Sequence, residues 1–261
     1  MDGTPAELLS DARQSGARVS RTALAAITGT RQAYDVQRAQ FELSGERICG
    51  WKIGATSPSS LGLIGLREPF FAPISASSCF SSGAIVPVFA RQGPMVEAEF
   101  AIKLGSDLPR RAAPYQREEV ERAVQSVHAS IEIVAARIEG GLKDTGPLVI
   151  ADMGINAAVV IGGELPHAVW LEPERVAVSV VLNGKHMAEG RSDILVWDHI
   201  LDSVAWLANR PERSIRGLER GDIVMSGTCT GVVPVAPGDQ VEANFGGAGH
   251  VEVLFSDAAE N

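Results

Sequence analysis

The chain is poor in several residue types, and each scarcity excludes a class of protein. Its 261 residues include only three cysteines, Cys49, Cys79 and Cys229, far apart and with no CxxC pair. Their odd number and wide spacing argue against a disulfide framework, and reduced thiols are expected. No apolar run is long enough to span a bilayer. The net charge is −9 without any basic cluster, which argues against nucleic acid or an anionic membrane as a partner.

The start of the chain, Met1-Asp2-Gly3-Thr4, does not resemble a signal peptide. Together with the expected reduced thiols, it predicts a cytoplasmic protein. A hydrophobic content of 45% and a charged content of 21% are typical of a water-soluble protein with a substantial core.

The patterning predicts an α+β protein. Residues 1–45 indicate a helical N-terminal segment, with helices over 5–15 and 30–44, the second ending at Gly45. Residues 46–261 show short apolar strands separated by glycine and proline, which indicates a rolled, mostly antiparallel β core, and both parts are expected to form one structural unit. We further predict a helix over 116–129, a strand over 130–138, and a type I′ hairpin turn at Asn183-Gly184.

The segment 95–104 alternates strictly between apolar residues and the charged residues Glu97, Glu99 and Lys103. This period of two predicts a strand on which Glu97 and Glu99 point to the same side, roughly 7 Å apart. Carboxylates placed in this way repel each other unless a cation lies between them or one is protonated. The pattern indicates either a metal or acid–base site, or a solvent-exposed strand face.

Glu132 lies in the apolar run Ile131-Glu132-Ile133-Val134, where an unpaired acid is costly. Arg137 has the opposite strand parity, so it is not the obvious partner on the same face. Glu132 with Glu97 and Glu99 would give three carboxylates, and an all-oxygen set suits Mg²⁺ or Mn²⁺.

Two further segments are candidates for chemistry. Lys52, in Gly50-Trp51-Lys52-Ile53-Gly54, is either a surface residue with a snorkelling stem or a cleft residue that contacts a carboxylate or exchanges a proton. The small polar segment 226–231 either provides backbone donors to an anion or forms a tight connection.

Four segments in order resemble the 2-keto-4-pentenoate hydratase and 4-oxalocrotonate decarboxylase family, within the fumarylacetoacetate hydrolase superfamily. They are Gly50-Trp51-Lys52-Ile53-Gly54, Val96-Glu97-Ala98-Glu99-Phe100-Ala101, Ile131-Glu132-Ile133-Val134 with Arg137, and Gly221-Asp222-Ile223-Val224-Met225-Ser226-Gly227. The similarity runs from about residue 45 onward.

The resemblance implies a barrel-like β core with Mg²⁺ or Mn²⁺ on Glu97, Glu99 and Glu132. It implies that Lys52 is a catalytic acid–base group or a contact to the substrate carboxylate, and we assign Asp152, Ser226 and Thr228 to substrate binding. The expected activity is hydration of a 2-hydroxy-2,4-dienoate or 2-oxo unsaturated acid through a metal-stabilised dienolate.

Two positions depart from the family pattern. Phe70 follows Pro69 where hydratases usually have an acid, and Ile155 replaces a hydroxyl-bearing residue. The apolar residue is closer to the decarboxylase branch, so decarboxylation of a 2-oxo-enedioate is one alternative. A C–C hydrolase of acylpyruvates and a non-catalytic partner subunit of a lyase complex are the others. By analogy, a homo-oligomer is expected.

Overall fold

The structure is a computed structural model that describes residues 3–210 and 216–258. The domain limits expected at residues 1 and 261, and the Met1-Asp2 start, lie outside the described residues. The helices are α1 Pro5–Ser15, α2 Thr30–Ser44, α3 Pro58–Ile64, α4 Arg117–Ala123, α5 Pro147–Ala151, α6 His167–Leu171 and α7 Ile200–Ala208. The strands are β1 Ile48–Gly54, β2 Phe70–Ser75, β3 Cys79–Ser81, β4 Ala84–Val88, β5 Met95–Leu104, β6 Val124–Val134, β7 Asn156–Glu164, β8 Val178–Leu182, β9 Lys185–Gly190, β10 Ile223–Met225, β11 Val233–Pro234, β12 Gln240–Phe245 and β13 His250–Asp257.

The larger sheet is curled into an open roll. Its strand order is β2-β1-β10-β5-β6-β7-β3, with β11 on the end of β5, and most neighbours are antiparallel. The two long central strands β5 and β6 place Glu97 directly opposite Glu132. The expected α+β class with a rolled, mostly antiparallel core is confirmed.

A five-stranded sheet, ordered β4-β13-β12-β8-β9, packs on the outer side of this roll. The apolar residues of β5 face it, and the rings of Phe100 and Phe245 meet edge to face with centroids 5.2 Å apart. The opposite face of β5, with both glutamates, is therefore turned into the roll. The hairpin between β8 and β9 has Asn183 and Gly184 at φ 51° and 78°, as a type I′ turn requires.

The N-terminal helices lie against the open side of the roll. Leu9 of α1 packs in one apolar cluster with Phe70 and Ile150, and Gln37 of α2 donates to the carbonyl oxygens of Phe71 and Ile150. A division of the chain at residue 45 stays a prediction. No described helix combines the length and the apolar character needed to cross a membrane. All three cysteines are free.

The helix expected over 116–129 is wrong in its second half. Helix α4 ends at Ala123, and the chain continues as β6, with Val127 opposite Ile102 of β5. The β-branched valines and the ladder of hydrogen bonds to β5 outweigh the helical pattern of the acidic first turn. The strand expected over 130–138 consequently begins earlier and ends at Val134.

Candidate active site

Three carboxylates meet inside the roll. One oxygen from each of Glu97, Glu99 and Glu132 lies within 4.8 Å of the others. The two residues on β5 share a face because their strand positions differ by two, and the β5–β6 register brings Glu132 opposite. Glu99 and Glu132 are 1% and 0% exposed, whereas Glu97 is partly exposed. A solvent-exposed strand face, one of the alternatives from the sequence, is wrong.

The loop after β10 supports two of these acids. The Gly227 N–H donates to Oε2 of Glu99 over 2.8 Å, and the Thr228 side chain lies beside Glu97, where it lowers the pKa of that carboxyl. Gly227 has φ +102°, and a Cβ there would lie 2.2 Å from Oγ1 of Thr56, so the turn requires glycine. The small polar segment thus does provide a backbone donor to an anion, which is a carboxylate of the chain itself.

Glu132 is held from two sides. Its Oε1 accepts a hydrogen bond from Nδ2 of Asn156 at 2.8 Å and lies 3.3 Å from Nζ of Lys52. Its Oε2 is buried, and no described residue forms a hydrogen bond with it. Lys52 is 3% exposed, so a snorkelling surface lysine is ruled out.

The crowding of acids shifts their protonation. Burial, reinforced by Glu132, raises the pKa of Glu97 to about 7. Burial and the charges of Glu132 and Glu97 raise the pKa of Glu99 well above its usual range. The Lys52 ammonium acts in the opposite direction on both pKa values, but it does not offset these causes.

Phe70 and two glycines confine Lys52. The Nζ lies 5.2 Å from the centroid of the Phe70 ring, on the same face of the β1–β2 pair. A Cβ on Gly54 would lie 2.3 Å from that ring. A Cβ on Gly154 would lie 2.7 Å from the ring and 3.0 Å from Cε of Lys52. The lysine therefore occupies a slot that larger residues would close.

The segment that forms one side of this slot is strained. Met153, Gly154 and Ile155 all have positive φ, of 53°, 61° and 56°, which is costly for the β-branched Ile155. Asp152 anchors the segment from its N-terminal side. Its carboxylate accepts from the backbone N–H of Arg137 at 2.9 Å and from Nε at 2.6 Å, and this ion pair is buried.

The structure brings most of the expected site residues together. Lys52 joins the cluster of three glutamates through its ion pair with Glu132, and Thr228 lies beside Glu97. Ser226 is fully buried beside Gly227, to whose carbonyl its hydroxyl donates at 3.3 Å. The Asp152 carboxylate forms a buried ion pair with Arg137, so a contact between Asp152 and the substrate stays a prediction.

One functional group, the side-chain amide of Asn156, is not evident from the sequence. The Gly227 N–H lies in segment 226–231, for which backbone donation to an anion is one of the two expectations. A buried acid in an apolar strand requires a donor, and that requirement was the one available signal for Asn156.

The carboxylate cluster fits a hard divalent cation. Its ligands are all oxygens, one of them is buried without a partner among the described residues, and burial together with the neighbouring carboxylates raises the pKa values of Glu97 and Glu99. Mg²⁺ and Mn²⁺ prefer such donors and keep water positions that a substrate can displace.

The comparisons with known proteins agree with this site. Residues 64–255 match the fumarylacetoacetate (FAA) hydrolase C-terminal family. The chain is 31% identical over 237 residues to 2-keto-4-pentenoate hydratase 1 of Dechloromonas aromatica, covering 88% of each chain. It is 30% identical over 221 residues to 2-hydroxyhexa-2,4-dienoate hydratase of Comamonas testosteroni, covering 83% of this chain and 81% of the relative.

A solved structure has the same fold over nearly the whole chain. The 4-oxalocrotonate decarboxylase of Pseudomonas putida, complexed with magnesium and adipate, superposes with a TM-score of 0.84 at 26% identity, covering 96% of this chain and 95% of that one. The same enzyme was also solved with calcium and acetate, with a TM-score of 0.83. The chain belongs to the fumarylacetoacetate hydrolase C-terminal family, in its 2-keto-4-pentenoate hydratase and 4-oxalocrotonate decarboxylase group.

Proposed function

We propose that this chain is a divalent-metal-dependent lyase that hydrates a 2-hydroxy-2,4-dienoate or the tautomeric 2-oxo unsaturated acid. The observation that carries the proposal is the buried Lys52 ammonium 3.3 Å from Glu132, at the edge of three clustered carboxylates. The relatives named as pentenoate and hexadienoate hydratases, each about 30% identical over most of the chain, support it.

Glu97, Glu99 and Glu132 would hold Mg²⁺ or Mn²⁺. When bound there, the cation would neutralise the charge of the substrate's carboxylate and the negative charge that develops on its 2-oxygen. The glutamates themselves fix its position, because Gly227 orients Glu99 and Asn156 orients Glu132.

Lys52 is the group that we propose to move the proton. Its Nζ is paired with Glu132, enclosed by Phe70, and shielded from bulk water, so a proton passes between Nζ and the substrate carbon without competition from solvent. In hydration, protonation at carbon and addition of water across the carbon–carbon double bond give a hydroxy-2-oxo acid.

Asp152, Ser226 and Thr228 are retained as proposed substrate-binding residues. Thr228 contacts Glu97, and Ser226 lies in the same loop. The Asp152 carboxylate is paired with Arg137. We therefore propose that Asp152 affects substrate binding indirectly, by anchoring the strained segment Met153–Ile155 beside Lys52.

A screen of dienoates and oxo-enedioates with Mg²⁺ and Mn²⁺ tests this proposal, with absorbance loss and CO₂ release followed separately. We expect loss of dienoate absorbance that depends on metal and proceeds without CO₂. A chain that binds the metal but converts none of these acids would contradict the lyase and favour a non-catalytic partner subunit. Release of a carboxylic acid from an acylpyruvate would point instead to C–C hydrolysis.

A second candidate, decarboxylation of a 2-oxo-enedioate, is favoured by one observation. Phe70 stands against Lys52 where an acid would provide a second proton-transfer group. The likeness to the decarboxylase complexed with magnesium and adipate is consistent with it. In the same screen, CO₂ release from the oxo-enedioate with no dienoate hydration would establish this alternative.

We also propose that the protein is a cytoplasmic homo-oligomer that acts on small acids and can associate with a partner lyase. The free state of its three cysteines supports a reducing compartment. Light scattering of the purified chain tests the assembly, and a monomer would contradict it. Cell fractionation tests the location.

A further inference from the structure

A cavity lies where the rolled sheet fails to close. Strands β2 and β7 contact each other across this seam but are not hydrogen-bonded neighbours in the described sheet. Helices α1 and α2 cover the seam and leave a cavity of about 330 Å³. Asn156 forms part of its wall and also donates to Glu132, so the cavity lies directly behind the carboxylate cluster.

Arg13, in the last turn of α1, borders this cavity with unused donors. Its Nε and Nη2 are enclosed and have no hydrogen-bond partner within residues 3–210 and 216–258. The charges that act on it are those of Arg137, which is of like sign, and Asp152, whose carboxylate is already bound by Arg137. Burial, reinforced by Arg137, lowers the pKa of Arg13 to about 9. In the part of the chain that the structure describes, Asp152 is the acid that acts on Arg13, and Arg13 shares it with Arg137. A planar fork of donors matches an oxyanion.

Helix α2 contributes an unused acceptor to the same cavity. Nε2 of Gln40 donates to the carbonyl oxygen of Ala151 at 3.0 Å, whereas its Oε1 is buried and has no hydrogen-bond partner among the described residues. Ser75 and Ser78, whose hydroxyls lie 3.0 Å apart, add groups that can rotate to donate or accept. Glu46 also lines the cavity, and its negative charge opposes an anion there.

We propose that this seam cavity binds a small oxyanion that also carries a hydroxyl group, either a short hydroxycarboxylate or hydrogen phosphate. The oxyanion accepts from Nε and Nη2 of Arg13, and its hydroxyl donates to Oε1 of Gln40. The pairing satisfies the two buried donors and the one buried acceptor at once. The site is separate from the carboxylate cluster and does not depend on the proposed lyase activity.

Calorimetric titration of the full chain tests the site, in EDTA and again with saturating Mg²⁺. The probes are glycolate, acetate, which lacks the hydroxyl, and, in EDTA, inorganic phosphate. We expect saturable binding of glycolate or phosphate, weakened about ten-fold or more in Arg13→Met because a charge-assisted pair is lost. Arg38→Met, which removes an exposed arginine paired with Asp35, should bind as the wild type does. Glu46→Gln should bind more tightly.

Whether glycolate or phosphate binds distinguishes the two sources of the oxyanion. The comparison of glycolate with acetate tests whether the hydroxyl group contributes to binding. Wild type should prefer glycolate to acetate, and Gln40→Met should lose that preference, which also provides a test if Arg13→Met fails to fold. The proposal is overturned if none of the probes saturates the wild type. Unchanged glycolate and phosphate binding in a folded Arg13→Met would overturn it as well.

Discussion

Nζ of Lys52 lies 3.3 Å from Oε1 of Glu132, and both side chains are almost completely removed from solvent. Lys52 lies on β1 and Glu132 on β6, two strands that are not neighbours in the sheet, so the contact crosses the interior of the roll. One partner belongs to the carboxylate cluster and the other can carry a proton. The pair therefore links the proposed metal site to the proposed acid–base group.

Replacement of Lys52 by methionine should separate these two roles. We expect Lys52→Met to reduce turnover of a dienoate by about 10²-fold or more, because the proton-transfer group is lost. Binding of Mn²⁺ should persist, since all three carboxylates remain. Lys103→Met is the matched control, because Lys103 projects from the same face of β5 as Glu97 and Glu99. An equal loss of turnover in Lys52→Met and Lys103→Met would contradict the proton-transfer role of Lys52.

Metal binding should depend on pH in a defined direction. The pKa of Glu97 is raised to about 7, so a proton competes with the metal below that pH. We expect the affinity for Mg²⁺ to fall as the pH drops through 7. Calorimetry in buffers of different ionisation enthalpy should show proton release on binding near neutral pH. An affinity that does not change between pH 6 and 8 would contradict the raised pKa.

The stability of the metal-free protein should fall as the pH rises, whereas the affinity for the metal should increase. A carboxyl whose folded pKa lies above its unfolded pKa binds more protons when folded, so stability falls as the pH rises from about 4.5 to about 7. We expect thermal unfolding in EDTA to occur at lower temperature at pH 7.5 than at pH 5.5, and Mg²⁺ to reverse this difference. Glu97→Gln should make the profile in EDTA less steep, while Glu99, whose pKa is also raised, keeps part of the dependence.

Gly154→Ala tests the slot around Lys52. A Cβ there would contact Phe70 at 2.7 Å and Lys52 at 3.0 Å, so the lysine has to move. We expect turnover to fall while metal binding persists. Gly141→Ala is the control, because Gly141 also has a positive φ, of 74°, but no atom lies within 4 Å of its added Cβ. Each alanine carries a backbone cost of about 1–2 kcal/mol, so activity lost only in the first variant reports on the slot.

Phe70→Asp tests what directs the reaction. An acid beside Lys52 would add a proton-transfer group, and we expect the ratio of hydration to decarboxylation to rise, measured from absorbance and CO₂ in the same sample. Phe70→Leu keeps the position apolar and should leave the ratio near that of the wild type. A rise of the ratio by the same amount in both variants would indicate that the smaller side chain, and not a new proton-transfer group, changes the reaction.

The local part of the site was predictable from the sequence. A period of two places Glu97 and Glu99 on one face without any knowledge of the fold, and an acid among isoleucines and valines marks Glu132 as buried. The family resemblance then joined them with Lys52. Each of these inferences depends on a few neighbouring residues or on a pattern shared with relatives.

The remainder depends on contacts between distant parts of the chain. The register that puts Glu97 opposite Glu132 is a property of the β5–β6 pair, and the Arg137–Asp152 pair joins a strand end to a turn, which parity along one strand cannot reveal. The helix expected over 116–129 failed for the same reason, since pairing with β5 decided the conformation after Ala123.

The central claim is that Glu132 belongs to a metal site on which activity depends. The most direct test is a Mn²⁺ titration of Glu132→Gln, followed by calorimetry and by dienoate turnover in the same preparation, with the exposed Glu164→Gln as control. We predict that Glu132→Gln weakens Mn²⁺ binding at least about ten-fold and abolishes turnover, while Glu164→Gln retains both. A folded Glu132→Gln variant with wild-type Mn²⁺ affinity and wild-type turnover would contradict the account.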